Sequence, residues 1–227
     1  MSVPYFTLQA VVLETSPFKE YDRIITLFSE QGLVKLFVKV SKRDFLLQNA
    51  LTSPLVLGEY VCIQGRGNLL QFRDGTILCH HMSIRDHFEK YEIAQKMMQI
   101  ILRSQWQGKP APQLYTLFQV FLEKISTITP TNSLLSAFIL KTLKHEGILQ
   151  LDSNCATCQE RIVGGKRFKG ERYCIKHAPP DSLSFSAEEE REIERLSESR
   201  SWEKVLLPLS SCSFSEKIET LFNQLFT

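Results

Sequence analysis

Cys155 and Cys158 stand two residues apart, and after fifteen further residues Cys174 and His177 repeat that spacing. Two residues between ligands let one tight turn aim both at the same cation, and paired Cys/His knuckles at this separation are the pattern of a structural zinc site. Gly164, Gly165 and Gly170 offer positive-φ positions for a hairpin between the knuckles. Three thiolates and one imidazole fill a tetrahedron and leave no position to activate water. The expectation is one structural Zn²⁺ per chain, held by Cys155, Cys158, Cys174 and His177.

Other clusters fail as chemistry. Cys79-His80-His81 lies at the end of a strand pattern, where successive side chains diverge. His145-Glu146 begins a zinc-protease signature, but Leu149 stands where the second histidine is required. Gly164-Gly165-Lys166-Arg167 lacks the first glycine and the final hydroxyl of a phosphate-binding loop. The remaining cysteines, Cys62, Cys79 and Cys212, read as buried free thiols. No nucleotide-binding loop, open metal site or nucleophile motif is evident, so a non-enzymatic role is expected.

Two stretches suit a polyanion. In the strand pattern from Leu33 to Ser41, Val34, Leu36, Val38 and Val40 share one face, which puts Lys35, Phe37 and Lys39 on the other. Lys42 and Arg43 follow, without an acidic residue in between. A ring that stacks on a base, flanked by cations that track phosphates, is a single-strand platform; the same Phe could instead pack beneath a neighbouring element. The second stretch, Arg161 to Lys176, carries net charge +5 and includes Lys166, Arg167, Lys169 and Arg172 as candidate DNA contacts. Residues Glu188 to Glu203 carry −4. The two could face each other within the molecule, or the basic one could face a polyanion.

The elements that must position these residues follow from the rest of the chain. Its 227 residues, 43% hydrophobic and 23% charged, are enough for one to three compact units with a true core, and the net charge of +2 demands no particular partner. No uncharged stretch is long and apolar enough to cross a membrane, the first thirteen residues lack the layout of a secretory signal, and a cytosolic location is expected. From Tyr5 to about His81 the pattern has period two, with candidate strands at Phe6 to Leu13, Arg23 to Phe28, Leu33 to Ser41, Leu55 to Gln64 and Leu69 to Cys79. Five short strands in so few residues predict a small closed barrel.

After Ser83 the period becomes 3.6. Ile93, Met97, Ile100 and Ile101 form one apolar face, Leu114, Phe118, Phe121, Leu122 and Ile125 a second, and Leu135, Phe138 and Ile139 a third that stops at Gly147. Ser186 with Glu189 makes a capping box, and Ile218, Leu221, Phe222, Leu225 and Phe226 predict a terminal helix docked on the central ones. The expected fold class is α+β, with an OB-fold-like barrel over 1–82, a helical domain over 83–150, a zinc module over 151–180 and C-terminal helices over 181–227.

That order of modules, together with Val11-Val12-Leu13-Glu14, Tyr21-Asp22-Arg23-Ile24-Ile25-Thr26-Leu27-Phe28, Pro54-Leu55-Val56-Leu57-Gly58-Glu59 and Phe138-Ile139-Leu140-Lys141-Thr142-Leu143, resembles the bacterial RecO family of DNA repair and recombination proteins. The resemblance implies an N-terminal OB-fold and an inserted zinc module. It also implies binding to single- and double-stranded DNA, strand annealing, and help for RecA in loading onto DNA coated with single-strand-binding protein. Its implied partners are RecR and the C-terminal tail of single-strand-binding protein, with RecA an indirect one, and its implied location is the cytoplasmic nucleoid. Val40 stands where the family usually has glycine, and the basic loop after Lys42-Arg43 and the C-terminal end are shorter than in many members. From a different class, an interaction adaptor whose barrel no longer holds nucleic acid would share these modules.

Overall fold

The computed structural model describes residues 5–40, 45–65, 67, 69–129, 131–211 and 213–226. Lys42, Arg43 and Cys212 lie outside them. Two compact units divide the chain, 1–128 and 129–227.

The first unit runs β1 (Tyr5–Phe18), β2 (Asp22–Ser29), β3 (Gly32–Val38), α1 (Phe45–Leu51), β4 (Leu57–Ile63), β5 (Leu69–Cys79), α2 (Met82–Arg85), α3 (Phe88–Ser104) and α4 (Pro112–Thr127). Its strands close into a barrel in the order β1-β2-β3-β5-β4, antiparallel throughout except for the short β3–β5 pairing from Lys35–Leu69 to Phe37–Gln71. Alternation explains the closure: Leu8, Ala10, Val12, Ile25, Leu27, Leu36, Val38, Tyr60 and Cys62 all turn into one core. The three-residue β3–β5 pairing is what closes the ring.

Helix α1 was not expected, because seven residues are too few to show a period. Its anchor is Leu51, which is buried and whose carbonyl accepts a 3.0 Å hydrogen bond from the Tyr60 hydroxyl. α4 begins with Pro112, whose missing N–H costs nothing in the first turn. Tyr115 and Phe118 of α4 meet Phe28 edge-on, at 5.7 and 6.1 Å between centroids. The expected helical domain over 83–150 is therefore split: α3 and α4 belong with the barrel, and the chain divides at residue 128.

The second unit contains α5 (Asn132–His145), β6 (Gly165–Phe168), β7 (Glu171–Tyr173), β8 (Leu183–Phe185), α6 (Ala187–Glu198), α7 (Trp202–Val205) and α8 (Phe214–Asn223). The strands form a sheet in the order β7-β6-β8. α5 is buried nearly all round, with α6 and α8 packed against it. Phe214, Ile218, Leu221 and Phe222 are the buried face of α8, the docking that the apolar repeat predicts. The capping box is made: Ser186 Oγ accepts from the Glu189 N–H at 3.1 Å, and the Ser186 N–H donates to Glu189 Oε2 at 2.9 Å.

Candidate metal centre and nucleic-acid surfaces

The donor atoms of Cys155, Cys158, Cys174 and His177 all lie within 4.8 Å of one another. His177 Nδ1 is 3.9 Å from Cys155 Sγ and 3.2 Å from Cys174 Sγ. A tetrahedron with bonds of about 2.3 Å to sulfur and about 2.0 Å to nitrogen spaces its corners about 3.5–3.8 Å apart, so the donor set fits one ion. Backbone N–H groups of Cys158 and Cys174 point at Cys155 Sγ and hold its thiol down to about 6, which favours the thiolate that a metal requires. The four residues come from two turns braced by the 2.8 Å bond from the Ala156 N–H to the Arg172 carbonyl. This cluster can hold one metal ion, and its sulfur-rich chemistry is compatible with zinc.

The basic stretch around this centre separates into two classes. Arg167 and Arg172 are opposite each other across β6 and β7, so both point to the same face, and that face is the interior. Arg167 is 1% exposed, with Nη2 2.7 Å from Glu190 Oε2 and Nη1 donating to the carbonyls of Gln150 and Gly170. Arg172 is 5% exposed and donates to the carbonyls of Asp152, Ile162 and Gly164 while its Nε lies 3.5 Å from Glu190 Oε1. The expectation that these two contact DNA is thus corrected. Their guanidinium groups are buried and committed to one carboxylate and a ring of carbonyls. Lys169 is exposed and Lys166 half-exposed, so both remain at the surface.

The acidic stretch serves the interior as well. Glu190 joins the two arginines. Glu189 pairs with Lys217 at 2.7 Å, and Glu192 accepts from Ser210 and lies 3.4 Å from Arg195 Nη2. Glu190 thus faces the basic stretch as the intramolecular alternative has it, while Glu189 and Glu192 find their partners elsewhere in the unit.

On β3 and just beyond it the alternation is as expected: Leu36 and Val38 are buried, Val34 is half-buried, and Lys35 and, one residue past the strand, Lys39 are exposed on either side of a half-buried Phe37. Phe37 is not a lone ring. Phe18 meets it edge-on at 5.6 Å, and Lys19 Nζ sits 5.7 Å from the Phe18 centroid. Phe18 and Lys19 escape sequence reasoning, since they approach Phe37 only once β1, β2 and β3 are aligned. Cys62 is buried and its thiol is pushed up to about 12, as expected of an inert core cysteine. Cys79 is only half-buried, because β5 ends there and its sulfur accepts from the His81 N–H.

The family description "Recombination protein O N terminal" matches residues 1–79, and "Recombination protein O C terminal" matches residues 85–211. A "DNA repair protein RecO" of Chlamydia trachomatis is 30% identical over 220 residues, covering 96% of this chain and 90% of its own length. One of Chlamydia pneumoniae is 29% identical over 217 residues, with 95% and 86% covered. One of Clostridium perfringens is 28% identical over 154 residues, with 67% and 62% covered. A solved asparaginyl-tRNA synthetase chain of Entamoeba histolytica overlaps 74% of this chain and 37% of its own length, with a TM-score of 0.30 and 8% identity, too slight a likeness for any argument. Among the described residues no helix is long and apolar enough to cross a membrane. With a five-stranded barrel in OB order, a helical C-terminal unit bearing a Cys/His cluster, and both family descriptions matched in sequence, the chain belongs to the RecO family of DNA repair and recombination proteins.

Proposed function

We propose that this chain is a non-enzymatic, cytoplasmic, nucleoid-associated mediator that binds single- and double-stranded DNA and anneals complementary strands. With RecR, and through the tail of single-strand-binding protein, it helps RecA replace that coat protein. The observation that carries the reading is the outward face of β3, where Lys35 and Lys39 flank the Phe37–Phe18 pair on a closed barrel. Lysines on an exposed strand attract phosphates and release counterions, while the aromatic pair offers an edge for an unstacked base. Lys42 and Arg43 continue the basic run in sequence, and Lys166 and Lys169 form a second basic surface on the C-terminal unit. Annealing needs two like-charged strands held together, and two cationic surfaces on one chain lower that repulsion. The Cys155, Cys158, Cys174 and His177 cluster is filled by a structural zinc ion, which supplies folding energy and no chemistry.

Oligonucleotide binding over a range of salt tests this reading. Lys35→Ala and Lys39→Ala should each weaken single-strand binding and lower the log–log salt slope by about 0.7. Annealing of labelled complementary strands should slow in the same variants. An interaction adaptor would bind no oligonucleotide even at low salt, and both variants would then match the parent.

A further inference from the structure

The link between α3 and α4 runs beside the β2–β3 turn and presents an aromatic ring that the β3 platform does not use. It is pinned at three points. Gln107 bridges in parallel to Leu33, and the Ala111 N–H donates to the Glu30 carbonyl at 3.0 Å. At Gly32, φ is +83° and an added Cβ would lie 2.0 Å from the Lys109 carbonyl oxygen, so the link runs against the β2–β3 turn at a distance only glycine allows. From this pinned link Trp106 projects with 61% of its surface exposed, and Lys109 Nζ sits 4.6 Å from the ring centroid.

Between the link and the barrel end lies a groove of about 600 Å³, within the size range of small-molecule sites. Phe6, Leu33 and Leu70 give it apolar walls, and Gln31, Gln64 and Gln107 line it with carboxamides. None of the described residues lining it carries a carboxylate. Phe6 is 39% exposed, and Val34 also lines the groove.

We infer that the Trp106–Lys109 link and the groove beside it bind an unpaired nucleotide of single-stranded DNA. The indole stacks on the base, Lys109 faces a flanking phosphate, and the glutamine amides meet the base edge. The inference rests on the DNA-binding reading above and adds a second contact point at the barrel end. Charge selects the occupant: the Lys109 ammonium beside the ring and the absence of a carboxylate among the described lining residues suit a polyanion. Stacking selects the form, because a duplex keeps its base faces covered. Carboxamides both donate and accept, so they tolerate every base and little sequence preference is expected.

The chain has two tryptophans, Trp106 and Trp202, so Trp202→Phe leaves Trp106 as the sole indole reporter. Fluorescence of that variant, read alongside the anisotropy of a labelled oligo-dT, should show saturable quenching by the single strand and none by the matching duplex. In the otherwise unaltered protein, Trp106→Ala should weaken oligo-dT binding about 5- to 100-fold, and Trp106→Phe should restore most of it. Lys109→Ala should lower the salt slope by about 0.7. Far-UV circular dichroism of Trp106→Ala should match the parent, as expected for an exposed side chain. Unaltered affinity in Trp106→Ala overturns the inference while the DNA-binding reading stands, even if the residue proves to serve a protein contact instead. If the parent itself fails to bind the oligonucleotide at low salt, both fall.

Discussion

The barrel and the Cys/His segment are both built from short strands, yet opposite forces hold them. The barrel encloses Leu8, Ala10, Val12, Ile25, Leu27, Leu36, Val38 and Tyr60 in a continuous apolar core. Between residues 152 and 178, Cys155 is the only hydrophobic residue that is buried, and its large interior side chains are Arg167 and Arg172. Apolar burial is additive and forgiving, since losing one contact leaves the rest intact. Thiolates and buried guanidinium groups are not, because removing one partner leaves the other charged, desolvated and unpaired. The segment should therefore fail abruptly where the barrel yields gradually.

Metal removal should separate the two regions most strongly. If the proposed zinc fills the cluster, stripping it with a chelator, or Cys158→Ala, should collapse amide hydrogen-exchange protection across 152–178 while strands β1 to β5 keep theirs. Equal loss of protection in both regions would break the comparison. Preserved protection in the stripped segment would show that the Arg–Glu cluster suffices alone.

Glu190→Gln comes next. It leaves Arg167 and Arg172 buried without their shared carboxylate, and chemical denaturation of the second unit should show a loss of about 3–5 kcal/mol. Leu36→Ala, a cavity in the barrel core, should cost about 2–5 kcal/mol and act on the first unit instead. Replacing the three charged residues together by apolar ones of similar volume should not recover the Glu190→Gln loss, because the carbonyls of Gln150, Gly170, Asp152, Ile162 and Gly164 would then lose their donors.

The smallest effects are in pH. In the first unit burial holds the His81 imidazole below its usual value, with the nearby Arg85 charge adding to this and the 2.8 Å Nδ1–H bond to the Leu55 carbonyl opposing it. The unfolded chain then takes up a proton that the folded one refuses. This stability is full above about 6.5 and falls as pH drops from there towards the depressed folded value. In the second unit burial alone would push the Glu189 carboxyl up, but the Lys217 ammonium, the Ser186 N–H and the Ser211 hydroxyl outweigh it and hold the carboxyl low. Its stability is present above the ordinary carboxylate value near 4.5 and is lost as pH falls through the folded value. On acidification the first unit should thus weaken first, and Glu189→Gln should flatten only the lower window of the second.

Much of this was legible along the chain because the signals are local. Alternation marked β2, β3, β4 and β5 to within a few residues, since period two is a property of the strand backbone itself. The x2 spacing of Cys155 with Cys158 and of Cys174 with His177 fixed the donor set, since a single turn defines each pair. Ser186 and Glu189 announced their helix start, as both bonds of the capping box lie within four residues.

Other features had no local signal. Lys166, Arg167, Lys169 and Arg172 are alike in sequence, but cross-strand pairing turned Arg167 and Arg172 inward to Glu190, which is twenty-three positions beyond Arg167. Phe37 gained Phe18 as a partner only across the aligned barrel strands, and α3 and α4 joined the barrel where their period alone favoured a separate helical domain. The link that bears Trp106 lies against the β2–β3 turn because Gly32 leaves room for the Lys109 carbonyl. Sequence by itself determined which residues can form strands, helices and a metal knuckle, because those depend on backbone period and spacing over a few residues. Tertiary structure alone decided which cations meet water and which meet a carboxylate, because burial is set by what packs opposite.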